Sequence, residues 1–516
     1  MSDIKVSSDL GSLQQDLWNA SVKMRGSVSP GDYKKYVLPL LFLHALSEKY
    51  ENGAKVVLEG KFQEFGLTFE DLEALPEDEK NLMIQEALGA ENIFYISEKA
   101  MWSYIRAHKN SDKIKTILDD AMTDISKNNK SLEGILPRMY EQSPLTNEQV
   151  GGLIELFSNE IFNSKDAVDV LGRVYEYFIT EFASSEGKRG GEFFTPSSIV
   201  NLIIHILDPQ EGRLMDPAAG SGGMFIQSER YAEKKGSLSF IGQELNQFNI
   251  LIGKMNVLLH GLDADLRLGN SLLNDHFSDV KVDYIATNVP FNIKEWGANK
   301  IEGNDPRLLK VRDSQNKTDS NANYFWLQHI WHHLNDNGKA GVVLSNGALT
   351  SNSKGEREVR EALVSMGAID AIVVLPAKLF LGTQIPSCVF FLNKNKRDKE
   401  KILFMDLRKM GVPVSRKNIQ FTPEEIQKVA DIYHAYSNGD DSYLDVEGFC
   451  KVVNLEDVRQ QDYKLTPGIY VGTEATEADN VSFEEKMSTL QSLLLEQFEE
   501  SNRLQQRIKQ NLEGLL

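Results

Sequence analysis

The chain has 516 residues, and at roughly 150 residues per domain it is long enough for about three domains, which excludes a single small module. Hydrophobic residues make up 41% and charged residues 25%, a globular composition that can bury a large core and excludes disorder of the chain as a whole. Seventy-five acidic residues against 56 basic ones give a formal charge of -19, so the bulk field repels nucleic acid, and a chain of this charge working on DNA needs help to hold the phosphates.

The first residues, Met1 to Lys5, lack the basic-then-apolar pattern of a signal peptide. The strongest early apolar run, Val37 to Leu43, is far below the ~20 residues that span a bilayer, so no membrane role is expected. From Leu10 to Phe182 apolar residues recur at helical spacing, as in Leu13, Leu17 and Trp18 and again in Tyr36, Leu40 and Leu43. This predicts a helical N-terminal domain over 1–182. Pro39 should kink one of its helices or mark a first turn, and Glu70 to Lys80 reads as an acidic loop. The polar, glycine-rich stretch Ser184 to Gly191 suits a domain junction or a mobile flap.

Beyond it, short apolar runs at Arg213–Met215, Ser239–Gly242, Val282–Ala286, Gly341–Leu344 and Ala371–Leu375 alternate with helical stretches. Cys388–Leu392 and Ile402–Met405 add further strand candidates. The pattern predicts a mostly parallel α/β domain over 183–410, followed by a C-terminal region over 411–482. The final segment, 483–516, sets Met487, Leu490, Leu494, Phe498, Leu504, Ile508, Leu512 and Leu515 at three- and four-residue steps. It reads as a long amphipathic helix for docking on a partner, with packing on its own body as the alternative. The two cysteines, Cys388 and Cys450, are too few for a disulfide scaffold or a four-thiolate zinc site and fit a reducing cytoplasm.

Three constellations carry chemistry. Asp216-Pro217-Ala218-Ala219-Gly220-Ser221-Gly222-Gly223 follows the first strand, and glycines at a strand-to-helix turn let the backbone approach a ligand closely. A second strand ends at Gln243-Glu244, where an acidic side chain grips ribose hydroxyls in such folds. The glycine spacing departs from the dinucleotide pattern, and Asp216 would repel a pyrophosphate, so a cationic, ribose-bearing cofactor is expected. Finally, Asn288-Val289-Pro290-Phe291 follows the strand Val282–Thr287. An amide oxygen and a neighbouring backbone carbonyl can accept both hydrogens of a planar amine and draw its lone pair out of conjugation, while Phe291 can stack on the ring that bears it.

With these motifs in this order the sequence resembles the S-adenosylmethionine-dependent DNA amino-methyltransferases, in particular the modification subunits of type I restriction-modification systems. The likeness also takes in Glu192 to Pro196, Asn323-Tyr324-Phe325, Gly338 to Ser345, Leu375 to Phe380 and the helical segment Tyr33 to Tyr50. It implies a helical N-terminal domain, a Rossmann-like methyltransferase domain and a C-terminal helical extension. It also implies that Phe194, Thr195 and Pro196 line the methionine end of S-adenosylmethionine, that Asp216, Gly220, Ser221, Gly222 and Gly223 cradle it, that Glu244 binds its ribose and that Asn270 approaches its adenine. Asn288 would bind the target amine, and the motif order matches methylation of adenine N6 on a base flipped out of the duplex. The implied partners are DNA, a specificity subunit shared by two copies of this chain, and a motor-nuclease restriction subunit.

The family usually has Asn-Pro-Pro-Phe; Val289 keeps the backbone carbonyl but not the fixed φ of proline. Gly297–Asn323 is polar enough to be a loop that orders on DNA, carrying Lys300, Arg307, Lys310, Arg312 and Lys317. His329, His332 and His333 read as helix residues rather than metal ligands, because the stretch offers no third ligand. Two other readings stay open: a catalytically silent cofactor-binding scaffold, motivated by Val289, and a protein glutamine methyltransferase, which would use the same amide-accepting geometry.

Overall fold

The computed structural model describes residues 2–26, 28–65, 71, 74–89, 91, 93–158, 167–185, 194–311, 318, 320–353, 355–380, 386–415, 418–472, 487, 491–492, 494–495, 497–499 and 501–506. Glu186–Gly191 of the expected junction, Glu192 and Phe193, Arg312 and Lys317, and Leu490, Ile508, Leu512 and Leu515 of the expected terminal helix lie outside them.

The N-terminal part is helical. Helices Ser2–Met24, Pro30–Phe65, Ile114–Asn128, Asn147–Phe157 and Ala167–Ser185 enclose one apolar core containing Leu17, Val37, Leu41, Met122, Leu153 and Phe178. Trp18 meets Phe178 and Phe182 edge-on at 5.4 and 4.8 Å. Burying such side chains contributes roughly 1.5–3 kcal/mol each, and Val37–Leu43, the early apolar run, is spent here. Pro39 lies within the helix Pro30–Phe65. The acidic stretch is not all loop: its last residues, from Glu77 on, open the helix Glu77–Gly89.

The rest is an α/β assembly. Strands β1 (Gly212–Asp216), β2 (Leu238–Glu244), β3 (Ala264–Leu268), β4 (Val282–Asn288), β5 (Leu334–Ser345), β6 (Ile369–Val374), β7 (Ser387–Asn393) and β8 (Lys401–Asp406) join one sheet. A short ribbon, β9 (Val412–Pro413) with β10 (Ile419–Gln420), stands apart, and β11 (Cys450–Asn454) closes the edge beside β8. The order is β11-β8-β6-β7-β5-β4-β1-β2-β3, with β7 antiparallel to β5 and β6 and β11 antiparallel to β8. Both faces are covered, so successive residues point into different cores: Leu214, Ala286 and Val343 into one, Met215, Ile285 and Val342 into the other. This is why β6 and β7 read as continuous apolar runs.

Helix Gln247–Leu259 belongs to two layers at once. Ile250 and Val257 pack with the sheet, whereas Ile252, Met255 and Leu259 enter the N-terminal helical core. No helix of the described residues is long and apolar enough to cross a membrane.

Within the helical core, Asp119 is buried and accepts the backbone N–H groups of Met139, Tyr140 and Glu141, each at 2.9 Å. Asp119→Ala removes the acceptor of three backbone N–H groups, of which that of Tyr140 is buried and would cost about 1–3 kcal/mol unpaired. It should lower the denaturant midpoint sharply, and Asp119→Asn, which retains an acceptor oxygen, should lower it less.

Candidate active site

The strand order turns at β1, which has β2 on one side and β4 on the other, all parallel. A crevice opens beyond the carboxyl ends at such a switch point. Here it is a cavity of about 290 Å³ whose lining includes Asp216, Glu244, Asn270, Asn288, Phe291 and Trp326.

β1 delivers Asp216, which is only 3% exposed. Its Oδ1 accepts the Thr287 hydroxyl at 2.7 Å and the Ala218 N–H at 3.0 Å. Burial pushes its carboxyl up to about 7; these two hydrogen bonds oppose the rise and the nearby Glu244 adds to it. β2 delivers Glu244, whose Oε2 accepts the Gly220 N–H at 3.0 Å and whose Oε1 accepts the Asn246 N–H at 2.8 Å. Burial raises its pKa as well. The glycine turn therefore bridges two buried carboxyl groups.

Gly220 and Gly222 have φ of 51° and 76°, a left-handed backbone that favours glycine. The turn presses on the helix Gln247–Leu259, where a Cβ on Gly253 would lie 2.8 Å from the Gly220 carbonyl oxygen. From the same helix the Asn256 amide donates to the Ser221 carbonyl at 2.9 Å. After β3, the Asn270 oxygen accepts the N–H groups of Leu272 and Leu273 at 3.0 and 3.2 Å, and the Ser271 hydroxyl donates to the Pro217 carbonyl at 2.6 Å.

β4 ends at Asn288, whose Oδ1 is buried and has no hydrogen-bond partner among the described residues. Such an orphaned acceptor costs about 1–3 kcal/mol, and a donor entering the cavity would recover it. Phe291 stands edge-on to Phe380, centroids 6.2 Å apart and planes at 88°.

Of the residues singled out from sequence, Thr195, Asp216, Gly220, Ser221, Gly223, Glu244, Asn270, Asn288, Pro290 and Phe291 line the cavity. Phe194 instead packs on the helical core, Pro196 is the residue before the helix Ser197–Leu207, Gly222 caps the helix Gly223–Tyr231, and Val289 is 1% exposed in the core beneath. Leu245, Trp296 and Trp326 also line the cavity. Trp326 lies in the helix Asn323–His333 and the other two outside helices and strands, and an apolar residue in either place does not say from sequence that it faces a ligand.

Two other expectations change. In the described part of Gly297–Asn323 the apolar residues are packed while Lys300 and Lys310 stay exposed: Ala298 and Ile301 are buried, and Arg307 pairs with Asp305 at 2.7 Å and lies over Phe325 at 4.9 Å. The third ligand group that the histidine stretch lacks comes from Asp275, which approaches His333 at 2.8 Å and His329 at 3.8 Å. His333 meets Asp275 through Nε2 while its Nδ1 faces the Val280 carbonyl at 2.9 Å, and the Arg307 guanidinium lies 3.4 Å from His329 Nδ1, the nitrogen on the Asp275 side.

The family model described as N-6 DNA Methylase matches residues 166–479, and that described as HsdM N-terminal domain matches residues 13–157. The type I restriction enzyme HindI methylase subunit of Haemophilus influenzae is 40% identical over 417 residues, 78% of this chain and 93% of that protein. The MjaIX methylase subunit of Methanocaldococcus jannaschii is 35% identical over 514 residues, 97% of this chain and 91% of that protein. Among solved structures, the type I restriction-modification methyltransferase subunit from Streptococcus thermophilus superposes with a TM-score of 0.76 at 25% identity, over 90% of this chain and all of that one.

Because the Asp216 carboxyl is raised in the folded chain, its contribution to stability is present at low pH and is lost as pH rises through about 7. Asp216→Asn, neutral at every pH, should therefore raise the melting temperature of the ligand-free protein at pH 8 and do so much less at pH 5.5. A gain that does not depend on pH would show that the charge is not what is strained.

Proposed function

The chain belongs to the N-6 DNA Methylase family, among the methylase subunits of type I restriction-modification systems, and from that premise we propose that it methylates N6 of adenine in DNA with S-adenosylmethionine as donor. The observation that carries this reading is the unpartnered Asn288 oxygen beside the two buried carboxyl groups.

When bound, S-adenosylmethionine supplies a methyl group on a positively charged sulfur. The residues fit such a cation. Asp216 and Glu244 bring negative charge to the glycine turn, Glu244 stands where ribose hydroxyls are held, and Asn270 closes the end assigned to the adenine. Thr195 faces the cavity at the end assigned to the methionine, with Phe194 and Pro196 anchoring its segment.

Asn288 Oδ1 and the Val289 carbonyl would accept the two N–H bonds of the target amine and raise the electron density on its nitrogen, with Phe291 stacked on the base. The base must leave the duplex to reach them. Val289 serves through its carbonyl, and its buried side chain restrains the backbone where the family usually has proline. Rate then comes from holding amine and methyl in line, and the residues assigned to this step need no metal.

The acidic charge of the chain argues that a partner grips and reads the DNA; what the family resemblance implies for that partner is a specificity subunit shared by two copies of this chain, with a motor-nuclease subunit joining for restriction. We assign the docking to the segment 483–516, where the described Met487, Leu494, Leu495, Phe498 and Leu504 are exposed. Both cysteines are buried thiols, in keeping with a cytoplasmic setting.

The test uses the chain co-expressed with its specificity subunit, scoring tritium transfer from labelled cofactor and N6-methyladenine in hydrolysed DNA. Asn288→Ala should lose about 10²–10³-fold or more in transfer while still binding the cofactor. Label on protein glutamine, or cofactor binding without any transfer by the unaltered complex, would overturn the reading.

A further inference from the structure

Directly after Phe291 the backbone takes a conformation that side chains other than glycine rarely adopt: Asn292 has φ of 54°. Asparagine tolerates this left-handed region better than most residues. Its surroundings hold it there. The Asn292 N–H donates to Asn323 Oδ1 at 2.9 Å, and the Asn323 amide donates back to Asn292 Oδ1 at 2.9 Å. The Ser345 hydroxyl, at the end of β5, donates to the same Asn292 oxygen at 3.3 Å, and the Ala322 N–H donates to the Ile293 carbonyl at 3.1 Å. A backbone N–H can only donate, so Asn323 must present its oxygen to it and its NH₂ to Asn292; the amide orientation is fixed by the pairing itself.

Upstream, Asn288 is held in the sheet opposite Val343, and the Val289 side chain is buried. The loop that carries Pro290 and Phe291 is thus pinned at both ends, by the sheet before it and by the reciprocal amide pair after it. We propose that Asn292 and Asn323 are positioning residues that set the pose of Asn288–Phe291, supplying the rigidity that a second proline would otherwise give this loop. Asn323 is 2% exposed and fixes the pair to the start of the helix Asn323–His333, whereas Asn292 is exposed and can be altered without opening the core. The inference rests on the reading of Asn288–Phe291 as the loop that receives the target amine.

The experiment measures single-turnover tritium transfer to unmethylated genomic DNA by the chain complexed with its specificity subunit, alongside equilibrium binding of S-adenosylmethionine. Asn292→Gly allows the backbone angle but deletes the side-chain acceptor, Asn323→Ala deletes both halves of the pair, and Asn292→Asp keeps an acceptor facing the Asn323 amide and the Ser345 hydroxyl. The first two should slow transfer about 10- to 100-fold, as expected for a small misplacement of reacting groups. Cofactor affinity should stay within about twofold of the unaltered chain, and Asn292→Asp should restore transfer to within about threefold, because a pose defect lowers the rate of the step rather than binding.

Unchanged transfer in Asn292→Gly, or an Asn292→Asp variant as slow as Asn292→Gly, would overturn the inference. So would a loss of cofactor binding in parallel with transfer, which marks a general structural defect. Asn288→Ala in the same assay separates the two claims. If it retains full transfer, the amine-binding reading itself fails; if it is inactive while Asn292→Gly is not, only the positioning role fails.

Discussion

The burial of Asp216 at the end of β1 is the constraint on which the site is built. A carboxyl group this deep is tolerable because the Thr287 hydroxyl and the Ala218 N–H meet the same oxygen, and even so its pKa rises to about 7. Thr287 is the residue before Asn288, so the contact that partly satisfies Asp216 also fixes the strand end that presents Asn288. Glu244 is tied to the same turn through the Gly220 N–H. Neighbouring strands β1, β2 and β4 thus hold two buried carboxyl groups and an unpartnered amide oxygen in one crevice.

The helical N-terminal part supports this arrangement from behind. Helix Gln247–Leu259 leans on the glycine turn through Gly253 and Asn256 and buries Ile252, Met255 and Leu259 in the helical core. The back wall of the cradle is therefore continuous with a second core, and a change in how the helical part sits would be felt at the turn. The described part of Gly297–Asn323 is held in a comparable way, with Arg307 reaching the Ser271 carbonyl at 3.3 Å and Trp296 stacked on Phe325 at 4.7 Å.

Much of this was legible in the sequence because it follows from local rules. The change from helical spacing to short apolar runs announces the sheet, and Asp216, Glu244 and Asn288 stand at the ends of strands whose patterns are plain. What was not legible depends on contacts between distant segments. Gly253 is an ordinary helix residue until the Gly220 carbonyl is seen against it. Asp275 completes the His329–His333 cluster from more than fifty positions away, and Asn292 and Asn323 look like unrelated loop asparagines until they pair. The few, scattered apolar residues of Gly297–Asn323 predict a polar loop, yet each described one finds a place in or against the core. The start of the helix Glu77–Gly89 was missed because acidic residues signal a solvated loop and a helix N-terminus equally well.

The net charge completes the picture. A chain at -19 gains little from meeting DNA directly, and two of its carboxyl groups, Asp216 and Glu244, line the cavity where a cationic donor would be held. The most direct test of that claim is proton linkage. Binding of S-adenosylmethionine near pH 6.5 should be measured by calorimetry in buffers of different ionisation enthalpy, for the unaltered chain and for Asp216→Asn. A cation held beside Asp216 must drive off the proton that burial keeps on it, so the account predicts net proton release that disappears in Asp216→Asn. Equal proton exchange in the two proteins would contradict it.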